Sequence, residues 1–274
     1  MESAGSPGSS GNNCGNCGRR RIALLLQYDG TAYNGWQLQG KGRTVQGEIE
    51  QAAAVLTGET VRITASGRTD SGVHALGQVA HFDTRSVLPL DRICTGLNGI
   101  MQTDVSVLNA YETGGDFHAR FSAVEREYQY IIYNHPLRSP FMRYRAMWFT
   151  RGLDDSYIAD VLRRIEGEHD FASFCKKKSR LENTVRSVLQ TGVTRQGDYI
   201  YINIRGNAFL HHMIRIIIGT CIEMFIAGAR PDYINVILDK KDRNCSGKTA
   251  PPHGLYLKEI KFSPELAVFP CAFA

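Results

Sequence analysis

Arg68 and Asp70 stand two residues apart in the stretch Ala65-Ser66-Gly67-Arg68-Thr69-Asp70-Ser71-Gly72-Val73-His74-Ala75, a cation and an anion bracketed by Gly67 and Gly72. An Arg beside an Asp favours the ionised carboxylate, and an ionised carboxylate on a loop can act as a nucleophile or a base. Glycine takes φ > 0 at little steric cost, so the two glycines let the backbone bend sharply and let a bulky group come close. The same residues also fit a purely structural reading, in which the Asp caps its own turn and the Arg pairs with it.

A second cation in an unusual place is Arg215, which sits in the otherwise apolar run Ile214, Ile216, Ile217 and Ile218. An unpaired charge there is expensive, so Arg215 must find an anion or reach solvent. Other candidate groups carry less information by themselves. Tyr128 alternates with Tyr130 and Ile132, as a core strand would. His211 and His212 are adjacent rather than at helical i, i+4 spacing, so they are not read as a metal pair.

The elements that must position these groups follow from periodicity. Thr60-Val61-Arg62-Ile63-Thr64 is β-branched and reads as a strand, and the alternation in Gln78-Val79-Ala80-His81-Phe82-Asp83 reads as another, which places the Asp70 loop between two strands. Ile22 to Tyr28 reads as a buried strand ended by Asp29-Gly30. Thr44 is the N-cap of a helix whose apolar residues Val45, Ile49, Ala52, Ala53 and Leu56 recur at helical spacing until Gly58. A helix at Leu90 to Asn98 and a strand at Val105 to Tyr111 complete one α+β unit. Thr113-Gly114-Gly115-Asp116 is the expected junction. Beyond it come strands at Arg126–Asn134, Met147–Thr150, Val185–Thr194, Tyr199–Ile204 and Gly254–Phe262, and helices at Asp154–Glu166, His212–Ala227 and Pro231–Leu238. The expected divisions are an N-terminal arm at 1–18, an α+β domain at 19–113, a second at 114–262 and a tail at 263–274.

The loop from Gly67 to His74 resembles the signature G-R-T-D-x-G-V-H of the TruA-type tRNA pseudouridine synthases, with Ser71 at the variable position. Further blocks resemble that family in the right order. They are Tyr28-Asp29-Gly30-Thr31 with Gly35-Trp36-Gln37, Phe117-His118-Ala119-Arg120-Phe121, Tyr128 with Tyr130 to His135, Asp170 to Phe174, Gly206 to Arg215, and Gly254 to Leu257. The resemblance implies two ferredoxin-like (RRM-like) α+β halves whose antiparallel sheets flank a central cleft. It implies Asp70 as the catalytic carboxylate, with Arg68, Arg215 or both holding it ionised, Tyr128 stacked on the target base and Leu255 closing over it. It puts Phe117, His118, Ala119, Arg120 and Phe121 on RNA, together with the basic segment at Lys178, Ser179 and Arg180. The substrate implied is uridine in the tRNA anticodon stem-loop, at positions 38, 39 and 40, and the state implied is a homodimer. A non-catalytic RNA-binding protein or tRNA chaperone, or a synthase for another RNA position, is the alternative.

Composition sets bounds around this reading. With 43% hydrophobic and 22% charged residues over 274 positions the chain is in the ordinary globular range. The net charge of +5 is mild. Its clustering is more telling, in Arg19-Arg20-Arg21, in Arg138 with Arg143 and Arg145, and in Lys176-Lys177-Lys178 with Arg180, patches suited to a phosphate backbone. Seven scattered cysteines do not form a disulfide framework. Cys14 and Cys17 lie at metal-ligand spacing, but no nearby segment offers two further ligands. There is no G-x-G-x-x-G or P-loop, and base isomerisation needs no redox carrier, so no cofactor and no metal are expected. Residues 1–18 lack a signal-peptide core, and the apolar run from Met213 to Gly228 is too short for a membrane span, which points to a cytoplasmic protein.

Overall fold

The computed structural model describes residues 18–176 and 183–266. The expected N-terminal arm, with Cys14 and Cys17, lies almost wholly outside that range, as does most of the expected tail. The first half runs β1 (Arg20–Tyr28), α1 (Val45–Thr57), β2 (Thr64–Ala65), β3 (His74–Thr84), α2 (Leu90–Ile100) and β4 (Val105–Thr113). The second runs β5 (Ala123–Asn134), β6 (Met147–Phe149), α3 (Asp155–Arg163), β7 (Gly167–Asp170), β8 (Val185–Gln196), β9 (Tyr199–Gly206), α4 (Met213–Ile226), α5 (Tyr233–Lys240) and β10 (Leu255–Phe262). The strands form one sheet in the order β4-β1-β3-β10-β5-β9-β8-β7, with β2 on β3 and β6 on β5.

Two antiparallel half-sheets meet in the middle of that order. β10 pairs antiparallel with β5 along its length, and parallel with β3 through Tyr256 opposite His74 and Leu257 opposite Ala75. The last strand of the described chain therefore joins the halves. The α+β class with two halves is what the structure has, and the Gly114-Gly115 turn lies between β4 and β5. Ile200, Ile202 and Ile204 of β9 and Tyr128, Tyr130 and Ile132 of β5 alternate into the core, with α4 burying Ile216, Ile217 and Ile218.

Local chemistry explains most element boundaries. The Thr44 hydroxyl accepts from the Gly47 amide at 3.2 Å, and Gly58 ends α1 in the left-handed region at φ 72°. The run Thr60–Thr64 is mostly not a strand, and only Thr64–Ala65 pairs with β3. The backbone of Ile63 is taken by side chains of α1 instead: its amide donates to Glu50 at 2.9 Å and its carbonyl accepts from Gln46 at 3.2 Å. β7, at the sheet edge, was absent from the periodicity because Gly-Glu-His-Asp has neither β-branched residues nor alternation. Among the described residues no helix is long and apolar enough to cross a membrane.

Two contacts fix the surroundings of the cleft. The segment 248–250 lies along α4, with the Ala250 amide donating to the Arg215 carbonyl and the Arg215 Nε donating to the Ala250 carbonyl, both at 2.9 Å. One helical turn on, a methyl at Gly219 would run into the Lys248 carbonyl. Farther out, the buried His81 accepts from the Ala119 amide through Nδ1 at 3.2 Å and anchors the segment 117–122. Burial pushes that imidazole down to about 4, with the Arg21 guanidinium adding to the effect.

Gly219→Ala is expected to destabilise the chain by about 1–3 kcal/mol through overpacking, read as a lower urea midpoint; an unchanged midpoint would mean that segment 248–250 yields freely. A second expectation concerns pH. His81 resists protonation when folded and accepts it when unfolded, so the unfolded chain binds more protons and stability falls as pH drops from about 6.5 to about 4. His81→Gln should make that fall shallower in urea midpoints taken across the window, and an unaltered slope would remove His81 from the account.

Candidate active site

The loop between β2 and β3 is held largely by uncharged groups. Gln78, fully buried, donates through Nε2 to the Gly67 carbonyl at 2.6 Å and accepts from the Gly67 amide at 3.3 Å. The Tyr28 hydroxyl meets the Thr69 hydroxyl at 2.8 Å. Burial pushes the Tyr28 phenol up to about 12, so it stays protonated and remains available as a hydrogen-bond donor. The Trp36 amide donates to the Thr69 carbonyl at 3.0 Å, and the Val73 amide to the Asp70 carbonyl at 3.1 Å. Gly72 takes φ 76°, where a side chain would be strained. Asp70 is thus presented from a tight turn fastened on both sides.

Its carboxylate meets three groups from the other half of the chain. Arg215 Nη1 donates to Oδ2 at 2.9 Å, His211 Nε2 lies 3.1 Å from Oδ1, and His212 Nε2 lies 3.4 Å from Oδ2. The Arg215 side chain is 12% exposed and that of Asp70 18%, so the pair is largely withdrawn from water. Arg68 is exposed on the cleft lining and makes no ion pair with Asp70 among the described residues. Of the two arginines considered as partners, the fold brings only Arg215 to the carboxylate.

The two histidines were missed as neighbours of Asp70 because adjacency normally sends side chains apart. Here His212 adopts φ 65° just before α4, and this left-handed residue turns both rings, 4.1 Å apart, onto one carboxylate. Nothing in the sequence pattern signals that. Burial holds the His212 imidazole below its usual range, against the opposing pull of Asp70. Asp70, His211 and His212 put one metal-ligand atom each within 4.8 Å of one another. The Arg215 guanidinium on the same carboxylate and the positive field of Lys176 at His212 oppose a divalent cation there.

The carboxylate opens into a cleft of about 1090 Å³. Arg62, Arg68, Arg120, Arg126, Lys176 and Arg186 line it beside Arg215, and Asp70 is the one carboxylate among the described lining residues. Tyr128 and Leu255 line it as well. Tyr128 packs edge-to-face on Phe209, with ring centroids 5.3 Å apart at 83°, and burial pushes its phenol upward so that it stays protonated. Leu255 begins β10 opposite Tyr130.

The five-residue block expected on RNA divides. Phe117 and Ala119 are 1% and 0% exposed and belong to the core, Phe117 packing on Phe262 at 5.2 Å. This corrects their assignment as RNA contacts, since a buried side chain cannot meet a polynucleotide. His118, Arg120 and Phe121 remain accessible: Phe121 is 77% exposed, with the Arg120 guanidinium 5.7 Å from its ring centroid. Lys178, Ser179 and Arg180 lie outside the described residues.

Comparison with known proteins finds relatives over most of the chain. A family model described as tRNA pseudouridine synthase matches residues 24–122 and 161–263. The chain is 41% identical over 244 residues to a protein of Coxiella burnetii named tRNA pseudouridine synthase A, covering 89% of this chain and 94% of that one. Relatives of the same name are 39% identical over 255 residues in Shewanella sediminis, covering 91% and 98%, and 42% identical over 243 residues in Caldicellulosiruptor saccharolyticus, covering 89% and 100%. A crystal structure of a Cbf5-Nop10-Gar1 complex aligns at 12% identity with a TM-score of 0.36, over 89% of this chain and 59% of that one, too loosely to inform the site. With both halves matched, and with the carboxylate loop and its arginine inside the matched segments, the chain belongs to the tRNA pseudouridine synthase family.

Proposed function

We propose that this chain isomerises uridine to pseudouridine in tRNA, in the anticodon stem-loop at positions 38, 39 and 40, with the Asp70 carboxylate as the nucleophile. The observation that carries the reading is the geometry of Asp70: the one carboxylate among the described residues lining a cationic cleft, paired at 2.9 Å with Arg215. A purely RNA-binding groove gains nothing from a partly buried anion facing phosphate.

The chemistry asks little beyond this. The bond from uracil nitrogen 1 to the ribose breaks, the base turns, and a bond from carbon 5 to the ribose forms. Carbon 5 gives up its proton and nitrogen 1 gains one, so nothing is oxidised and the carboxylate is regenerated. Attack by Asp70 on ribose carbon 1′ or on uracil carbon 6 starts the sequence, and Arg215 keeps the carboxylate ionised and oriented for it. The target nucleotide must leave its stack to reach the carboxylate. Tyr128 then offers an aromatic face to the base and Leu255 an aliphatic one, while Arg62, Arg68, Arg120, Lys176 and Arg186 meet phosphates. A homodimer in the cytoplasm, with one tRNA crossing both subunits, completes the reading.

Asp70→Asn should fold and bind tRNA at least as tightly as the wild type, because a charge repelled by RNA is gone. Its turnover should fall by on the order of 10⁴ or more, measured as tritium release from tRNA labelled at uracil carbon 5; substantial residual turnover would remove Asp70 as the nucleophile. Mapping the modified uridines in the product tests the anticodon positions in the same experiment. Wild-type affinity for tRNA should drop steeply with salt, by roughly 10³-fold between about 50 and 200 mM if about six phosphates are neutralised. A flat response would discredit the cationic lining as the tRNA surface.

A further inference from the structure

Arg126 of β5 lines the cleft but touches no carboxylate among the described residues. Its guanidinium is spent on backbone carbonyls. Nη1 donates to Ala123 at 3.0 Å and to Asn207 at 2.6 Å, and Nη2 donates to Arg120 at 2.8 Å and to Ser66 at 3.4 Å. Three of these acceptors belong to three separate segments that border the cleft. Ser66 opens the turn that carries Asp70, Asn207 opens the segment that carries His211 and His212 into α4, and Arg120 is on the outer rim.

We propose that Arg126 is a positioning residue that locks these three segments into one mutual placement and thereby sets where Asp70 stands relative to the groups that meet it; this rests on the function proposed above. The physical ground is the shape of the donor. A guanidinium is a planar fork whose N–H directions are fixed relative to one another, so four carbonyls bonded to its two terminal nitrogens cannot move independently. An ammonium in the same place is a single point that satisfies at most three acceptors and imposes no common plane. The position on β5 matters too. Arg126 is opposite Gly206 on β9 and Ile260 on β10, so the fork is rooted in the central strands while its tip holds the loops. Uncharged carbonyls as acceptors also leave the positive charge uncompensated toward the cleft, where RNA is to enter.

Positioning by Arg126 is separable from folding. Two of the carbonyls are four residues ahead of a group at the reacting centre, Ser66 of Asp70 and Asn207 of His211. A small rotation of either carbonyl is therefore carried to the carboxylate without disturbing the sheet. Misplacement of a reacting group by about 1 Å costs roughly 10²-fold in rate.

The test compares wild type, Arg126→Lys, Arg126→Ala and Asp70→Asn in tritium release from labelled tRNA, with Tm and amide hydrogen exchange measured on each. Arg126→Lys should keep its Tm within a few degrees and its KM for tRNA within about threefold, while kcat falls roughly 10²-fold. Amides of residues 66–70 and 207–211 should exchange faster, and those of β5 should not. Millimolar methylguanidinium should restore part of kcat to Arg126→Ala and none to Asp70→Asn. A kcat for Arg126→Lys within twofold of wild type, a Tm collapse that accounts for the lost activity, or unchanged exchange in both loops would each overturn the proposal. A wild type that releases no tritium would sink the function instead, and the exchange measurement would still decide the role of Arg126.

Discussion

A carboxylate and a guanidinium separated by 145 positions in sequence, brought to 2.9 Å, is the contact around which the molecule is arranged. Neither partner is comfortable alone. Arg215 rises from the first turn of a helix whose neighbours are isoleucines, and Asp70 stands on a tight turn facing a cleft lined with cations. Breaking a withdrawn pair by removing one partner leaves the other charge uncompensated, at a cost of several kcal/mol when burial is complete. The pair also has to be assembled from both halves of the sheet. Everything that places α4 against segment 248–250, and everything that fastens the loop onto β1 and β3, serves this one meeting.

The supports around it divide by charge. Within its own half the Asp70 loop is held by a glutamine, two hydroxyls and backbone amides, all neutral, while the Ser66 carbonyl at its start is reached by the Arg126 guanidinium. Neutral supports position without adding a field of their own, so the potential at the carboxylate is set chiefly by Arg215 and by the cationic lining. On the outer side of the cleft the holding is done by the Arg126 guanidinium, with the neutral His81 imidazole beneath the same rim segment. There a charge serves two ends, because the same region is where a polyanion would approach.

What could be read in the chain beforehand followed from how local the determining physics was. The α1 helix was legible because Thr44 and Gly58 mark its ends through contacts within a few residues. The carboxylate loop and the need of Arg215 for an anion were legible because a charge in apolar surroundings is conspicuous. The run Thr60–Thr64 misled because β-branching favours a strand only where a neighbouring strand is free, and Gln46 and Glu50 had already taken the backbone of Ile63. Phe117 and Ala119 face inward because His81 turns the segment, a long-range contact invisible to composition. The meeting of His211 and His212 at Asp70 depends on a single left-handed residue, which no periodicity records.

The place of β10 in the sheet has a consequence for how the molecule comes into being. It is the last strand in the described chain, yet it is inserted between β3 and β5 near the middle of the order. Until it arrives, β3 and β5 each present an open edge, and the two halves have no shared ladder. During synthesis the N-terminal half can form its own β1-β3 and β1-β4 ladders early, but the cleft cannot close before the chain is nearly finished. Such non-local pairing makes folding slow and leaves strand edges exposed in the interval, a period when chaperone protection matters most. A ribosome that stops short of residue 255 would release a chain with Asp70 and Arg215 both present and no joint between the half-sheets to bring them together.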